Sequence, residues 1–465
     1  VKTLEILRKL DSDTPAEVYL VGGFVRDFIR RKQNKDLDVV VRGLGLQKIG
    51  KFLKKFGRTK QLTIHRIKGS TPITFVSFIA KGDFIEAQIA VAKSSDKGQK
   101  GPPTLKQDGS CRDFSINAMF LPVNKMTIKG VIDYFGGKND IAARQLLTIG
   151  SAKKKFIESP IRIMRAFSLA ARMNYNIANH TKSGISECAK LLYKVPGEVI
   201  KAELEEILLS RKPSKYLKEM NKLGVLKVIL PELHRCVKCT QEKKYHKYDV
   251  FHHLIYACDN AEPTIELRLA ALLHDIGKPI ARKVINGRIT FHKHEVYGSK
   301  EAAIILKRLR FTNDTISKVT DLIRMHMYHY TREFTDAGVR RFIDNAGIRD
   351  EHIEEIGEFP LFKLRQADRG GNGFRKQLVT DRQRDFEERI VRVFNSSTGF
   401  TVKDLDVNGD DILRVFNLKP GKEIGYILNH LIQVIMEHPE LNNRDSLMNA
   451  ALTFILRKEE KDNDG

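Results

Sequence analysis

Residues 18–41 read VYLVGGFVRDFIRRKQNKDLDVVV, and this stretch decides the fold. The segment EVYLVGG at 17–23 is an apolar run that stops at a glycine pair, which predicts a short buried strand ending in a turn. FVRDFIRRK then has helical spacing, and LDVVV at 37–41 predicts a second strand. Asp36 and Asp38 flank Leu37, and strand residues two apart share a face. Two carboxylates on one face make a hard oxygen site suited to Mg²⁺. Two such ions clamp the attacking and leaving oxygens of a phosphoryl transfer. Glu86, on a later predicted strand, is the candidate third carboxylate. Gly22 and Gly23 let the backbone approach a triphosphate with N–H groups toward its oxygens. Arg26 adds a fixed positive fork.

Outward from this stretch, ITFVSFIA at 73–80 and FIEAQIAVA at 84–92 predict further strands, so the first 125 or so residues form an α/β unit. Leu4, Ile6, Leu7 and Leu10 predict a short amphipathic helix at the start. The Gly-, Pro-, Ser- and Lys-rich segment 93–111 predicts a mobile loop. From about residue 156 the pattern is helical to the end, and RKEEKDNDG predicts a frayed tail. Lys and Arg outnumber Asp and Glu by 81 to 57, a net +24 over 465 residues. Such a surplus favours a polyanionic partner, RNA or DNA first. Five sparse cysteines do not look like a disulfide framework and fit a reducing cytoplasm. Cys236 and Cys239 make a lone C-x-x-C with no second pair at zinc-finger spacing. No apolar run long enough to span a membrane is present.

The 18–41 stretch resembles the head domain of class II tRNA nucleotidyltransferases and the related bacterial poly(A) polymerases. The likeness continues in order. Arg112-Asp113-Phe114-Ser115-Ile116-Asn117-Ala118-Met119 resembles the family's R-R-D-F-T-I-N-A-M, and Asp133-Tyr134-Phe135-Gly136-Gly137 its D-x-x-G-G. Glu158-Ser159-Pro160-Ile161-Arg162, running on to Arg165, resembles the E-D-x-x-R helix. Glu198, Lys201, Glu203 and Leu204 resemble E-R-x-R-x-E-L. The resemblance implies that Asp36 and Asp38 bind Mg²⁺, and that Gly22, Gly23, Arg26 and Asp27 line the triphosphate. It implies that Arg112, Asp113 and Asn117 hold ribose and phosphates, and that residues 159, 162 and 165 lie at the helix that pairs with the base edge of ATP or CTP. A carboxylate there accepts from an exocyclic amino group while an arginine donates to the ring nitrogen. This chain has Ser159 in place of the usual Asp and Cys111 in place of the first Arg, which leaves the choice of nucleotide open.

A second constellation lies further on. His253, His274-Asp275 in LAALLHDIGKP, His294, His326 and Asp368 follow one another. A His-Asp pair closing an apolar helix is an unusual place for two polar groups unless they bind something. The order resembles the HD superfamily of metal-dependent phosphohydrolases, and the resemblance implies a ligand set for two metals, of transition type, with Asp275 bridging and Lys278 facing a substrate phosphate. His246, His252, His292 and His329 are read as surface or packing residues.

The expected fold is α+β: a polymerase-β-like nucleotidyltransferase head (1–150), a helical nucleotide-template and RNA-binding region (151–235), an HD domain (236–385) and a helical RNA-binding tail (386–465). The expected activity is CMP and AMP addition from CTP and ATP to the 3′ end of tRNA. The alternatives are a poly(A) polymerase, a partial CC- or A-adding enzyme, or an HD phosphohydrolase acting on RNA ends or nucleotides.

Overall fold

Strand β1 (Glu17–Val21), the turn at Gly22, the helix Gly23–Ile29 and strand β2 (Leu37–Arg42) form in the order the sequence predicts. The computed structural model describes residues 2–34, 36–64, 73–94, 101–242, 244, 246–331, 333–374, 377–396 and 402–463. β3 (Gly57–Ile64), β4 (Ile73–Ala80), β5 (Glu86–Val91), β6 (Met119–Pro122) and β7 (Ile132–Asp133) complete one sheet in the order β3-β4-β5-β2-β1-β6-β7. β2 is central, antiparallel to β1 and parallel to β5. Its Leu37, Val39 and Val41 point into the core with Leu7, Leu10, Val18, Leu20, Ile49, Phe78 and Ile89. Alternation then turns Asp38 to the opposite face. The amphipathic helix forms as Lys2–Asp13 and buries Leu7 and Leu10.

Three expectations need correction. Residues 95–100 of the expected loop lie outside the described residues, but Leu105–Cys111 is a helix. Thr104 and Gln107 cap it reciprocally, each side chain accepting from the other's backbone N–H. The tail expected to fray is helical to Asn463, because Arg, Lys and Glu are strong helix formers. The largely helical remainder also contains a β-hairpin, Lys283–Ile285 with Arg288–Thr290.

Contacts divide the chain into two compact units. One comprises Val1–Lys238, Pro263–Arg268 and Ala303–Ile316, and the other Cys239–Glu262, Leu269–Ala302 and Ser317–Gly465. In the second, one core gathers Tyr330, Phe342, Phe362, Phe386 and Ile390, and another gathers Leu405, Ile412, Leu431, Ile435 and Leu447. Among the described residues no helix is long and apolar enough to cross a membrane.

Candidate active site

Gly22 sits where β1 turns into its helix, with φ 68° and ψ −138°, a conformation that glycine alone adopts without strain. A Cβ there would also lie 2.7 Å from Oδ2 of Asp38. The turn is therefore pressed against the carboxylate, which stands opposite Val21 across the β1–β2 ladder. Asp36, just before β2, receives no ladder bond. Its N–H donates to Oδ1 of Asn34 at 2.9 Å.

The carboxylate pair opens into a cleft of about 710 Å³, within the size range of small-molecule sites. Gly22, Gly23, Arg26, Asp36, Asp38, Arg112, Asp113, Asn117, Arg162 and Arg165 all line it. Asp27, Glu86 and Ser159 do not. Asp27 turns inward and fixes Arg26, accepting from Nε at 3.1 Å and Nη2 at 2.6 Å. It also accepts from Arg30 and Asn34 at 2.9 Å each. Burial pushes the Asp27 carboxyl up, but Arg26, Asn34 and Arg30 outweigh it and hold the carboxyl below its ordinary range. Arg26 then donates Nη1 to Oδ1 of Asn117 at 3.1 Å.

Glu86 is exposed and accepts from the hydroxyl of Ser77 on β4 at 2.5 Å. Gln88, which the sequence reading passed over, lines the cleft in register with Asp38. Ser159 closes the helix Ala152–Glu158 as its C-terminal cap. Arg162 is braced by Glu158 at 2.9 Å and by the carbonyls of Lys155 and Cys111 at 3.1 and 3.2 Å. Arg165 donates to Asp113 at 2.6 Å. Burial would raise the Asp113 carboxyl, but the charge and hydrogen bond of Arg165, aided by Arg162, hold it low.

A second constellation builds within the other unit. His253, His274 and Asp368 form one group, and Asp275, His294 and His326 another, with ligand atoms in each within 4.8 Å of one another. Three of the imidazoles are aimed the same way. Nδ1 of His274, His294 and His326 meets the carbonyl of Ala271, Phe291 and Ile323 at 3.0, 2.7 and 2.6 Å. A carbonyl only accepts, so each Nδ1 carries a proton and each Nε2 faces inward. Nε2 of His294 then faces Nε2 of His326 at 3.3 Å. Asp275 reaches both groups, with Oδ1 3.1 Å from His294 and Oδ2 3.5 Å from His274 and 2.6 Å from Nζ of Lys278. Oε1 of Gln241 accepts from Nζ of Lys278 at 2.7 Å, a contact that no sequence motif marks. Burial disfavours a charged His274, yet Asp275 and Asp368 outweigh it and raise its pKa to about 10. His246, read as a packing residue, stacks edge-on against His253, and burial lowers its pKa to about 4. The donor set, four imidazoles and two carboxylates in two close groups, fits a divalent cation.

Two glycines let the groups meet. Gly371, ending the helix Pro360–Gly371 that carries Asp368, has no room for a Cβ, which would lie 2.5 Å from the backbone N of Ala257 and 2.8 Å from the carbonyl O of His253. Gly277 is blocked in the same way by the carbonyl of His294 at 2.2 Å. Gly371→Ala is expected to cost about 1–3 kcal/mol, as other overpacked sites do. It should lower the melting temperature by several degrees and weaken divalent-metal binding, which calorimetry checks. An unchanged melt and metal affinity would show that the helices part without cost.

Three family models match the chain: the poly A polymerase head domain over residues 18–147, the RNA and SrmB-binding site of polymerase A over 174–237, and tRNA nucleotidyltransferase domain 2 over 293–451. A multifunctional CCA protein of Neisseria meningitidis serogroup C is 30% identical over 63% of this chain and 68% of its own length. An A-adding tRNA nucleotidyltransferase of Deinococcus radiodurans is 27% identical over 71% of this chain and 75% of its own. Among solved structures, the Bacillus stearothermophilus CCA-adding enzyme in complex with CTP is similar over 99% of this chain and 98% of that one, with a TM-score of 0.66 and 19% identity, a likeness of fold. A relative 30% identical over two thirds of its length, matched by a head whose carboxylates face a cleft walled by arginines, leaves one conclusion: the chain belongs to the tRNA nucleotidyltransferase family.

Proposed function

We propose that this nucleotidyltransferase adds CMP and AMP, taken from CTP and ATP, to the 3′ end of a tRNA. The observation that carries the reading is the pair Asp36 and Asp38 facing the cleft beside Gly22, with Arg26, Arg112, Arg162 and Arg165 around it. The relatives bear names for A-adding and for complete CCA-adding enzymes, and similar structures hold CTP, ATP and tRNA. In the reaction an RNA 3′-OH attacks the α-phosphate and pyrophosphate leaves. Asp36 and Asp38 would hold Mg²⁺, which supplies charge for the attacking and leaving oxygens. Arg26, locked by Asp27 and Asn117, offers its guanidinium to the triphosphate without having to be ordered first. Asp113 and Arg165 fix each other against the ribose side of the cleft.

Base choice would fall to Arg162, which lines the cleft, and to Ser159 only if it reaches in from the cap just outside that lining. Offering each labelled nucleotide to tRNAs ending at the discriminator base, at C and at CC tests the whole reading. Addition of A alone to CC-ended tRNA means a partial enzyme, and long A tails on unrelated RNA mean a poly(A) polymerase. If Ser159 reads the base, Ser159→Asp is expected to raise the preference for A or C over U by about tenfold, the worth of one charge-assisted hydrogen bond. An unchanged ratio of incorporation rates removes residue 159 from base reading.

A second reading is favoured by the six-residue cluster. We infer an HD-type site in which His253, His274, Asp275, His294, His326 and Asp368 hold divalent transition metal and hydrolyse phosphate esters on RNA ends or nucleotides. It is supported by the inward-facing Nε2 atoms and by Asp275 reaching both groups. When bound, the metal supplies an acidified water as nucleophile. The division at 1–150, 151–235, 236–385 and 386–465 belongs to the same proposal, supported by separate cores in the head and around Leu431.

A further inference from the structure

The sequence between Asp275 and Glu295 reads IGKPIARKVINGRITFHKH, with five Lys or Arg and no Asp or Glu. Its centre is the hairpin, in register Lys283 with Thr290, Val284 with Ile289 and Ile285 with Arg288. Asn286 and Gly287 both have positive φ, 49° and 74°, as a two-residue turn that follows strand twist requires. The hairpin is exposed. Val284 is 59% and Ile285 47% accessible, and Arg282, Lys283 and Arg288 are exposed beside them. An isolated two-stranded hairpin is marginal in water, so its base must be anchored. The N–H of Ile289 donates to Oε1 of Glu242 at 2.7 Å, and Nζ of Lys278 lies over the ring of Phe291 at 5.4 Å. Those anchors tie it to the second site. Lys278 pairs with Asp275, and the carbonyl of Phe291 orients His294.

We propose that this hairpin is the docking element of the histidine–aspartate site and holds the phosphodiester backbone of a single-stranded RNA end. This rests on the HD reading and deepens it: the substrate is a terminal phosphate on an RNA strand, not a free nucleotide. The occupant follows from charge. Arg282, Lys283 and Arg288 present three cations on one short ribbon, and Glu242, the acidic side chain that hydrogen-bonds to the ribbon among the described residues, accepts a backbone N–H. A polyanionic strand carries a phosphate for each of the three, whereas a mononucleotide carries its phosphate at one position only. The exposed Val284 and Ile285 offer apolar surface to the sugars and bases that such a strand carries.

The test is the variant Arg282→Ser, Lys283→Ser, Arg288→Ser in the full chain, assayed with a short RNA ending in a 3′-phosphate and with p-nitrophenyl phosphate, both with added Mn²⁺ or Ni²⁺. RNA affinity is measured in parallel across salt concentrations. Loss of three phosphate contacts predicts a salt slope shallower by about 2 and an RNA kcat/KM lower by roughly tenfold to a hundredfold. Hydrolysis of p-nitrophenyl phosphate should be unchanged. An unaltered slope and RNA rate overturn the proposal. So does an equal loss on both substrates, which would make the hairpin a support for the metal ligands, or an equal loss for a mononucleotide. If wild-type protein hydrolyses neither ester, the HD reading fails, and the slope still decides whether the hairpin holds RNA.

Discussion

Asp38→Asn is expected to lower nucleotide addition by at least about 10³-fold while the protein stays folded. Asparagine matches aspartate in shape, so the ladder with Val21 and the contact with Gly22 persist. What disappears is one of the two negative charges that β2 and its approach aim into the cleft. Losing a single preorganised electrostatic group in an active site commonly costs 10²–10³ in rate. Here the group also anchors the divalent charge on which phosphoryl transfer depends, so the loss should reach or exceed that range. Single-turnover incorporation of labelled ATP or CTP checks the rate, and a thermal melt checks the fold. A drop of less than tenfold would take Asp38 out of the metal site. Asp36 should behave in the same direction, with Asn34 still holding its backbone N–H.

The head was legible because its signals are local. The runs 18–21 and 39–41 are buried strands, and a glycine pair between a strand and a helix has few other meanings. β3 escaped because it is an edge strand, GRTKQLTI, whose polar residues break the apolar alternation. The helix Leu105–Cys111 carried a readable capping box in Thr104 and Gln107, hidden by the glycines and prolines before it. The hairpin likewise had its Asn-Gly signal, but one without the long strands that make such a turn persuasive.

Roles were harder to read than elements. Period two puts Glu86 and Gln88 on one face, but which of them meets the cleft depends on Ser77 in the neighbouring strand, 9 residues away from Glu86 in sequence. The resemblance implies that Asp27 lines the triphosphate, while its side chain pairs with the buried Arg26, a contact that no motif states. The six metal-type residues were found by order alone. What the order did not contain is the orientation of three of the four rings, set by carbonyls three residues upstream.

Asp275→Asn is expected to abolish divalent-metal binding at the second site and any ester hydrolysis there, with nucleotide addition unchanged. Asp275 reaches both groups of the cluster, and both of its oxygens are engaged, with Lys278, His274 and His253 on one side and His294 and His326 on the other. The substitution keeps the shape and removes the charge. The sign of the pH dependence follows from His274. Burial opposes its proton, but Asp275 and Asp368 retain it up to a pH of about 10. A metal taking the same Nε2 must displace that proton. Affinity should therefore rise with pH, and binding near neutrality should release about one proton per metal. Calorimetry in buffers of different ionisation enthalpy measures the release. In the Asp275→Asn protein both the retained proton and the metal lose their main attraction, so proton release and metal content should fall together. Wild-type metal affinity in that variant would take Asp275 out of the metal site. Retained tRNA extension in the same preparation would show that the loss belongs to this site and not to the fold.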